Sequence, residues 1–171
     1  NNRFVSNSIS ATYAGIAMTL LVQVGGDTGN ASYAALFYLK SPPSGANTVQ
    51  VLTTTTTLNA VCGAISYSGA NQDTPWGTAV SARGTDSTPT ITVVTTTGEI
   101  AVGILAAEGL STIGPGAGET EQWDDQVTDI SGGGYTQAGA SGGVISPTTT
   151  TTDWTLVGAS LKPSSTSSQS V

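Results

Sequence analysis

The chain has no histidine and a single cysteine, Cys62. Without histidine it cannot build a Ser-His-Asp or Cys-His catalytic unit, or a His-ligated zinc site. One cysteine permits no intrachain disulfide and no cysteine-rich metal site. Charge is scarce: 9% of residues are Asp, Glu, Lys or Arg, against roughly 25% in an average globular domain. Four residues are basic (Arg3, Lys40, Arg83 and Lys162) and eleven are acidic, for a net charge of −7. So few cations exclude a nucleic-acid partner held through its phosphates. The apolar runs fall well short of the ~20 residues needed to span a bilayer, so no membrane insertion is expected.

Thr, Ser and Gly supply roughly two residues in five, a share also found in chains that never bury a core. Here, however, 37% of the residues are hydrophobic. They cluster in runs such as Ile16 to Val24, Ala34 to Leu39 and Ile100 to Ala107, too apolar to stay solvated. The 171 residues fit one folded domain, at ~150 residues per domain. The sequence predicts that domain over 1–163, followed by a polar tail over 164–171.

The hydrophobic period is two. Val49 and Val51 flank Gln50; Ile91 and Val93 alternate with Thr90 and Thr92; Ile100, Val102 and Ile104 alternate with Ala101 and Gly103. Thr and Val are stiff at χ1 and suit a pleated strand. Strands are expected over 8–13, 16–24, 32–39, 47–53, 60–68, 77–83, 90–97, 99–107, 118–124, 135–145 and 153–161. Turn signals separate them, among them Ser41-Pro42-Pro43-Ser44-Gly45 and Gly132-Gly133-Gly134. Short strands at this spacing predict an all-β, antiparallel β-sandwich of jelly-roll type.

Five acids, Glu119, Glu121, Asp124, Asp125 and Asp129, fall close together. Carboxylates this dense repel unless a cation neutralises them, and calcium, which takes six to eight oxygen ligands, is the candidate. The spacing is not that of a helix-loop-helix calcium site, and a solvated acidic loop is the plain alternative. A glycosidase would need two opposed acids across a cleft. Glu99, Glu108, Glu119 and Asp153 are available, but nothing in the sequence selects two of them, and no enzymatic activity is expected. Trp76 and Trp123 are the candidates for stacking on a sugar ring or an interface. Trp76, beside Pro75 in a turn, is expected to be the more exposed, and Trp154 is expected in the core. Cys62, among apolar neighbours, is expected to be a buried thiol. The threonine runs 53–57 and 148–152 read as solvent-facing strand ends, and Asn30-Ala31-Ser32 fits the N-glycosylation pattern.

Several segments together resemble a known family. They are Ser10 to Leu20, Tyr38 to Gly45, Ala64 to Ala70, Asp73 to Gly77 and the closing Trp154 to Pro163. In this order they are similar to a widespread β-sandwich module of secreted bacterial surface proteins and phage structural proteins. The likeness covers most of the chain and rests on turns and core strands. It implies a sandwich fold and a structural role, and it carries over no catalytic residue. In one respect the chain departs from the family: an extra apolar strand usually precedes the segment matching Ser10 to Leu20. Here only Asn2-Arg3-Phe4-Val5 stands before it. The expectation is that this strand is shortened, is missing from this fragment, or is supplied by a neighbouring subunit.

Together these readings predict a non-enzymatic structural subunit, extracellular or on a virion surface or surface filament. Its partners would be other copies of itself or a virion or cell-surface scaffold. The alternative is a carbohydrate-binding or adhesion module.

Overall fold

A computed structural model describes residues 9–25, 32–53, 59–139, 142–150 and 152–164. Twelve strands run through them: β1 (Ile9–Tyr13), β2 (Ile16–Ala17), β3 (Thr19–Gly25), β4 (Tyr33–Tyr38), β5 (Val49–Thr53), β6 (Val80–Gly84), β7 (Ile91–Val93), β8 (Ile100–Glu108), β9 (Thr120–Val127), β10 (Ile130–Ala138), β11 (Gly143–Ile145) and β12 (Trp154–Leu161). No helix occurs among the described residues, and every strand pairing is antiparallel. The protein is therefore all-β and antiparallel. Asn30, the start of the tail at 165–171, and the run 54–57 lie outside the described residues, as do Asn2, Arg3, Phe4 and Val5.

The frame is a five-stranded sheet in the order β6-β12-β8-β10-β9. Its period-two pattern faces two ways. Ala101, Leu105, Ala107, Trp154 and Leu156 pack with Ile91, Val93 and Ile145 of the β7–β11 pair. Ala106 and Val157, with Ile104 and Ile130, pack with Ala34 and Leu36 of β4 and with β3. Neighbours along one strand thus enter different cores, as the pleat requires. Strand β12 lies between the two cores, and all eight of its residues are buried. Each fully buried Leu or Val side chain there contributes about 1.5–3 kcal/mol. The buried Asp153 carboxylate at the head of β12 accepts a 2.6 Å hydrogen bond from the Ser32 hydroxyl, tying the strand to the start of β4.

Several of the expected turns and strands change: the strand expected over 16–24, for one, is divided into β2 and β3. Gly132-Gly133-Gly134 is no turn; it lies inside β10, paired with β8 on one side and β9 on the other. Glycine is required there by close approach rather than by turning. A Cβ on Gly132 would stand 2.4 Å from Val61 Cγ2, and one on Gly134 would stand 2.3 Å from Trp123 Nε1. The single strand expected over 135–145 is instead the end of β10 followed by the separate β11. The strand expected over 60–68 has no strand partner among the described residues.

On the opposite edge of the sheet, Asp86 Oδ1 accepts from the Thr88 backbone N–H at 2.9 Å, the Thr88 hydroxyl at 3.2 Å and the Trp154 indole N–H at 3.2 Å. The Thr88 backbone bond is the main reason that the Asp86 carboxyl titrates below its ordinary value. Desolvation opposes it, and the Thr88 hydroxyl and Trp154 bonds, each weaker than that desolvation, add to it.

Two predictions follow from this frame. Gly134→Ala drives a methyl into the Trp123 ring and lowers stability by about 1–3 kcal/mol, read as a fall in the urea midpoint. Asp86 has a depressed folded-state value, so its stabilising contribution is complete above the ordinary carboxylate range. It is lost as pH falls through the folded value. Tryptophan fluorescence changes over that acidic window, and the change is absent in Asp86→Asn.

Candidate functional site: an apolar groove with strand-edge walls

The second cover of the central sheet is incomplete. Strands β3 and β4 form one two-stranded piece, and β2, β1 and β5 form a separate piece in the order β2-β1-β5. Between them runs a groove of about 370 Å³. The parity of its lining identifies its parts. From β1 only Ile9, Ala11 and Tyr13 line it, and from β5 only Val49, Val51 and Thr53. Alternate residues mean that these strands present a face, as a roof. From β10 again alternate residues line it, Ile130, Gly132 and Gly134, as part of a floor. By contrast, every residue from Tyr33 to Pro42 and every residue from Asn59 to Tyr67 borders the groove. The central strand β8 does the same with Val102 to Ala106 although both its edges are paired, so the free wall is read from the pairing instead: β4 pairs only with β3 among the described residues. The unpaired edge of β4 and the segment 59–67 therefore border a groove whose roof and floor are apolar.

Neither edge carries charge along the slot. β4 reads Tyr-Ala-Ala-Leu-Phe-Tyr, and residues 60–67 read Ala-Val-Cys-Gly-Ala-Ile-Ser-Tyr. Charge stands only towards the ends, at Lys40 and Asp129. Asp129 Oδ1 accepts from Asn59 Nδ2 at 2.7 Å, which fixes the start of the second wall. Two polar atoms of groove residues, the Tyr67 hydroxyl and the Trp76 indole N–H, are buried with no hydrogen-bond partner. An orphan of this kind costs about 1–3 kcal/mol. Burial also raises the Tyr67 hydroxyl above its ordinary titration range.

The residues singled out in the sequence are distributed as follows. Trp76 is half-buried, packed against the β4 core and edge-on to Tyr38 with 6.0 Å between ring centroids. The exposure expected of it is not found, because a bridge from Trp76 to Leu161 draws the turn onto β12. Trp123 is also half-buried and lies over Gly134 and Gly63 at one end of the groove. Trp154 is in the core, as expected. Cys62 is exposed rather than buried, because its segment runs along the groove without a strand beside it. In the second threonine run Thr149 is buried while Thr148 and Thr150 are exposed, so it is solvent-facing on one side only.

The acidic residues do not form a loop. Glu121, Asp124 and Asp125 lie on β9, the outermost strand of the central sheet. As neighbours on a strand, Asp124 and Asp125 project to opposite faces. Asp125 accepts from the Gln126 backbone N–H at 2.8 Å. Glu119 precedes the strand; its carboxylate accepts from the Gly116 backbone N–H at 2.9 Å and from the Ser146 backbone N–H. Asp129 sits in the turn after β9, bound to Asn59. Among the described residues no three Asp, Glu, Cys or His side chains converge to hold a metal ion. Burial, aided by the charges of Glu121, Asp124 and Glu119, pushes the Tyr135 hydroxyl well above its ordinary range. Of the other acids considered for catalysis, Glu99 accepts from the Thr96 backbone N–H at 3.0 Å, Asp153 is bound to Ser32, and Glu108 is exposed.

The groove is the feature that sequence reading missed. Its only signal in the sequence is the uncharged run from Ala60 to Tyr67, which reads as one more strand. Compared with known protein families, characterised proteins and solved structures, the chain matches none.

The open slot has a direct chemical consequence. In the monomeric chain Cys62 reacts with a maleimide without denaturant, at one thiol per chain. A thiol that reacts only after unfolding would mean that the groove is closed.

Proposed function

We propose that this chain is a non-enzymatic, extracellular structural subunit of a virion surface or a surface filament. Its fold is read as a β-sandwich of jelly-roll type, and it assembles through β-strand contacts. The observation that carries the reading is the contrast between its sheet edges. The outer edge of the central sheet at β9 bears Glu121, Asp124 and Asp125, and the other outer strand, β6, bears Arg83. Charges at a sheet edge prevent it from pairing with another chain. The two edges facing the groove have no such guard.

A strand added between β4 and residues 60–67 would find backbone donors and acceptors on both sides. Its side chains would alternate between the apolar floor and roof. That is the chemistry of strand addition, in which main-chain bonds supply affinity and alternate pockets supply selection. The two layers covering the central sheet support the sandwich reading, and the resemblance to phage and bacterial surface modules supports the setting. A sugar-binding reading lacks a comparable observation, because Trp76 and Trp123 both pack against the chain's own residues. The acids on β9 are read as an edge guard rather than a calcium site.

Light scattering of the purified protein tests this. The expected native mass is a multiple of the 17.0 kDa chain, unchanged by a calcium chelator because the β9 acids diverge. A monomer in both conditions overturns assembly by this chain alone. Collapse under chelation returns the acids to a metal role.

A further inference from the structure

We infer that residues 59–67, which border the groove opposite β4, are a movable strap, and that Trp123 is the latch that holds this strap on the central sheet. The strap has little else to hold it. It has no strand partner among the described residues, and of 59–67 only Val61 and Tyr67 are partly covered. A segment with so few buried contacts opens locally at far lower cost than the whole domain unfolds. The Tyr67 hydroxyl, buried without a hydrogen-bond partner, adds to this, because lifting the strap returns it to water.

Both ends are fastened. At the start, Asn59 Nδ2 donates to Asp129 Oδ1 at 2.7 Å. Past the other end, the Asn71 N–H donates to the Lys162 carbonyl at 3.0 Å, the Ser164 N–H donates to the Gly69 carbonyl at 2.7 Å, and Ala70 bridges Pro163. Gly69, at a φ of +71°, makes the bend between strap and anchor, a conformation that glycine adopts without strain.

Between the anchors, Val61 lies on Gly132 of β10 and the Trp123 ring lies against Gly63. Trp123 belongs to β9, the outermost strand. Glu121 opposes Tyr135 and Trp123 opposes Gly134, so Gln122 is an extra residue between them. A bulge of this kind re-aims the neighbouring side chain, here onto the strap. The ring is seated on two glycines. A Cβ on Gly63 would stand 2.2 Å from Trp123 Cδ2, and one on Gly134 would stand 2.3 Å from Nε1. Gly134 belongs to the frame and Gly63 to the strap, so a methyl on Gly63 disturbs the latch from the strap side alone. Gly63 has no positive φ, and alanine there adds only that methyl.

The strap borders the groove along its length, so releasing the latch removes one wall. On the strand-addition reading, on which this consequence alone rests, an unlatched chain loses one of the two edges that an added strand would meet.

Hydrogen exchange of the full chain carrying Gly63→Ala tests the latch. The amides of 60–67 are expected to exchange several-fold faster than in the unmodified protein, with those of β8 and β12 unchanged and the urea midpoint kept. Trp123→Ala should speed the same amides, and adding Gly63→Ala to it should speed them no further, because two changes to one contact do not add. Acrylamide follows the ring itself: Gly63→Ala should increase quenching of tryptophan fluorescence, and should not do so in a Trp123→Phe chain. If Gly63→Ala lowers the urea midpoint and speeds exchange in β8 and β12 alike, the ring and strap belong to the core and the inference is overturned. Exchange and quenching that stay as they are in the unmodified protein overturn it too. Light scattering separates the two readings. A native mass of one chain with and without Gly63→Ala removes strand addition and leaves the latch, because exchange and quenching read the strap within a single chain.

Discussion

The structure depends on keeping both faces of the β12–β8 pair dry. Eight consecutive residues of β12 are buried, so the sheet is satisfied only when apolar layers lie above and below it. One layer, the short β7–β11 pair, meets its face through a packed cluster with Tyr135, Ile145, Leu105 and Leu156 at its centre. The other is built from two separate pieces that do not pair with each other. A two-stranded sheet is marginal by itself. The β3–β4 piece is held by packing on β12, β8 and β6, whereas β1, β2 and β5 stand across the groove from the sheet.

The same constraint explains the glycines of β10. Where the second cover is thin, the chain closes the distance by bringing side chains down onto backbone. Val61 and the Trp123 ring come within Cβ distance of Gly132 and Gly134. The register shift between Gly134 and Tyr135, where Trp123 opposes one and Glu121 the other, fits this approach. An inserted residue increases local twist and re-aims a side chain. Glycine in a strand interior normally weakens it. Here the loss is offset by a half-buried indole packed against the sheet at the groove's end.

Much of the architecture was legible in the residues, for a physical reason. Alternating Val, Ile and Thr can bury one face only as strands, and β8 and β12 lie within a residue of where that alternation predicts them. What failed were inferences from local composition that long-range packing overrides. Three glycines in a row read as a turn until the ring that needs their missing Cβ atoms is known. Asp124 and Asp125 read as a shared ligand set, yet a pleat sends neighbours apart. Cys62 read as buried because its neighbours are apolar, but burial requires a partner segment that the sequence of one chain does not reveal. The groove was illegible for the same reason, since it is the space left where a strand has none beside it.

The scarcity of charge then takes on a structural meaning. A chain with few ionic groups can use them only where they matter most, and this one sets Glu121, Asp124 and Asp125 on one outer edge of the central sheet and Arg83 on the other. Arg83 also reaches the Gly25 carbonyl at 3.3 Å, binding β6 to the end of β3. With the central sheet's edges guarded, the edge of β4 and residues 60–67 at the groove carry no charge, and neither do the short outer strands β2, β3, β5, β7 and β11. Net repulsion between copies at −7 each keeps non-specific association weak.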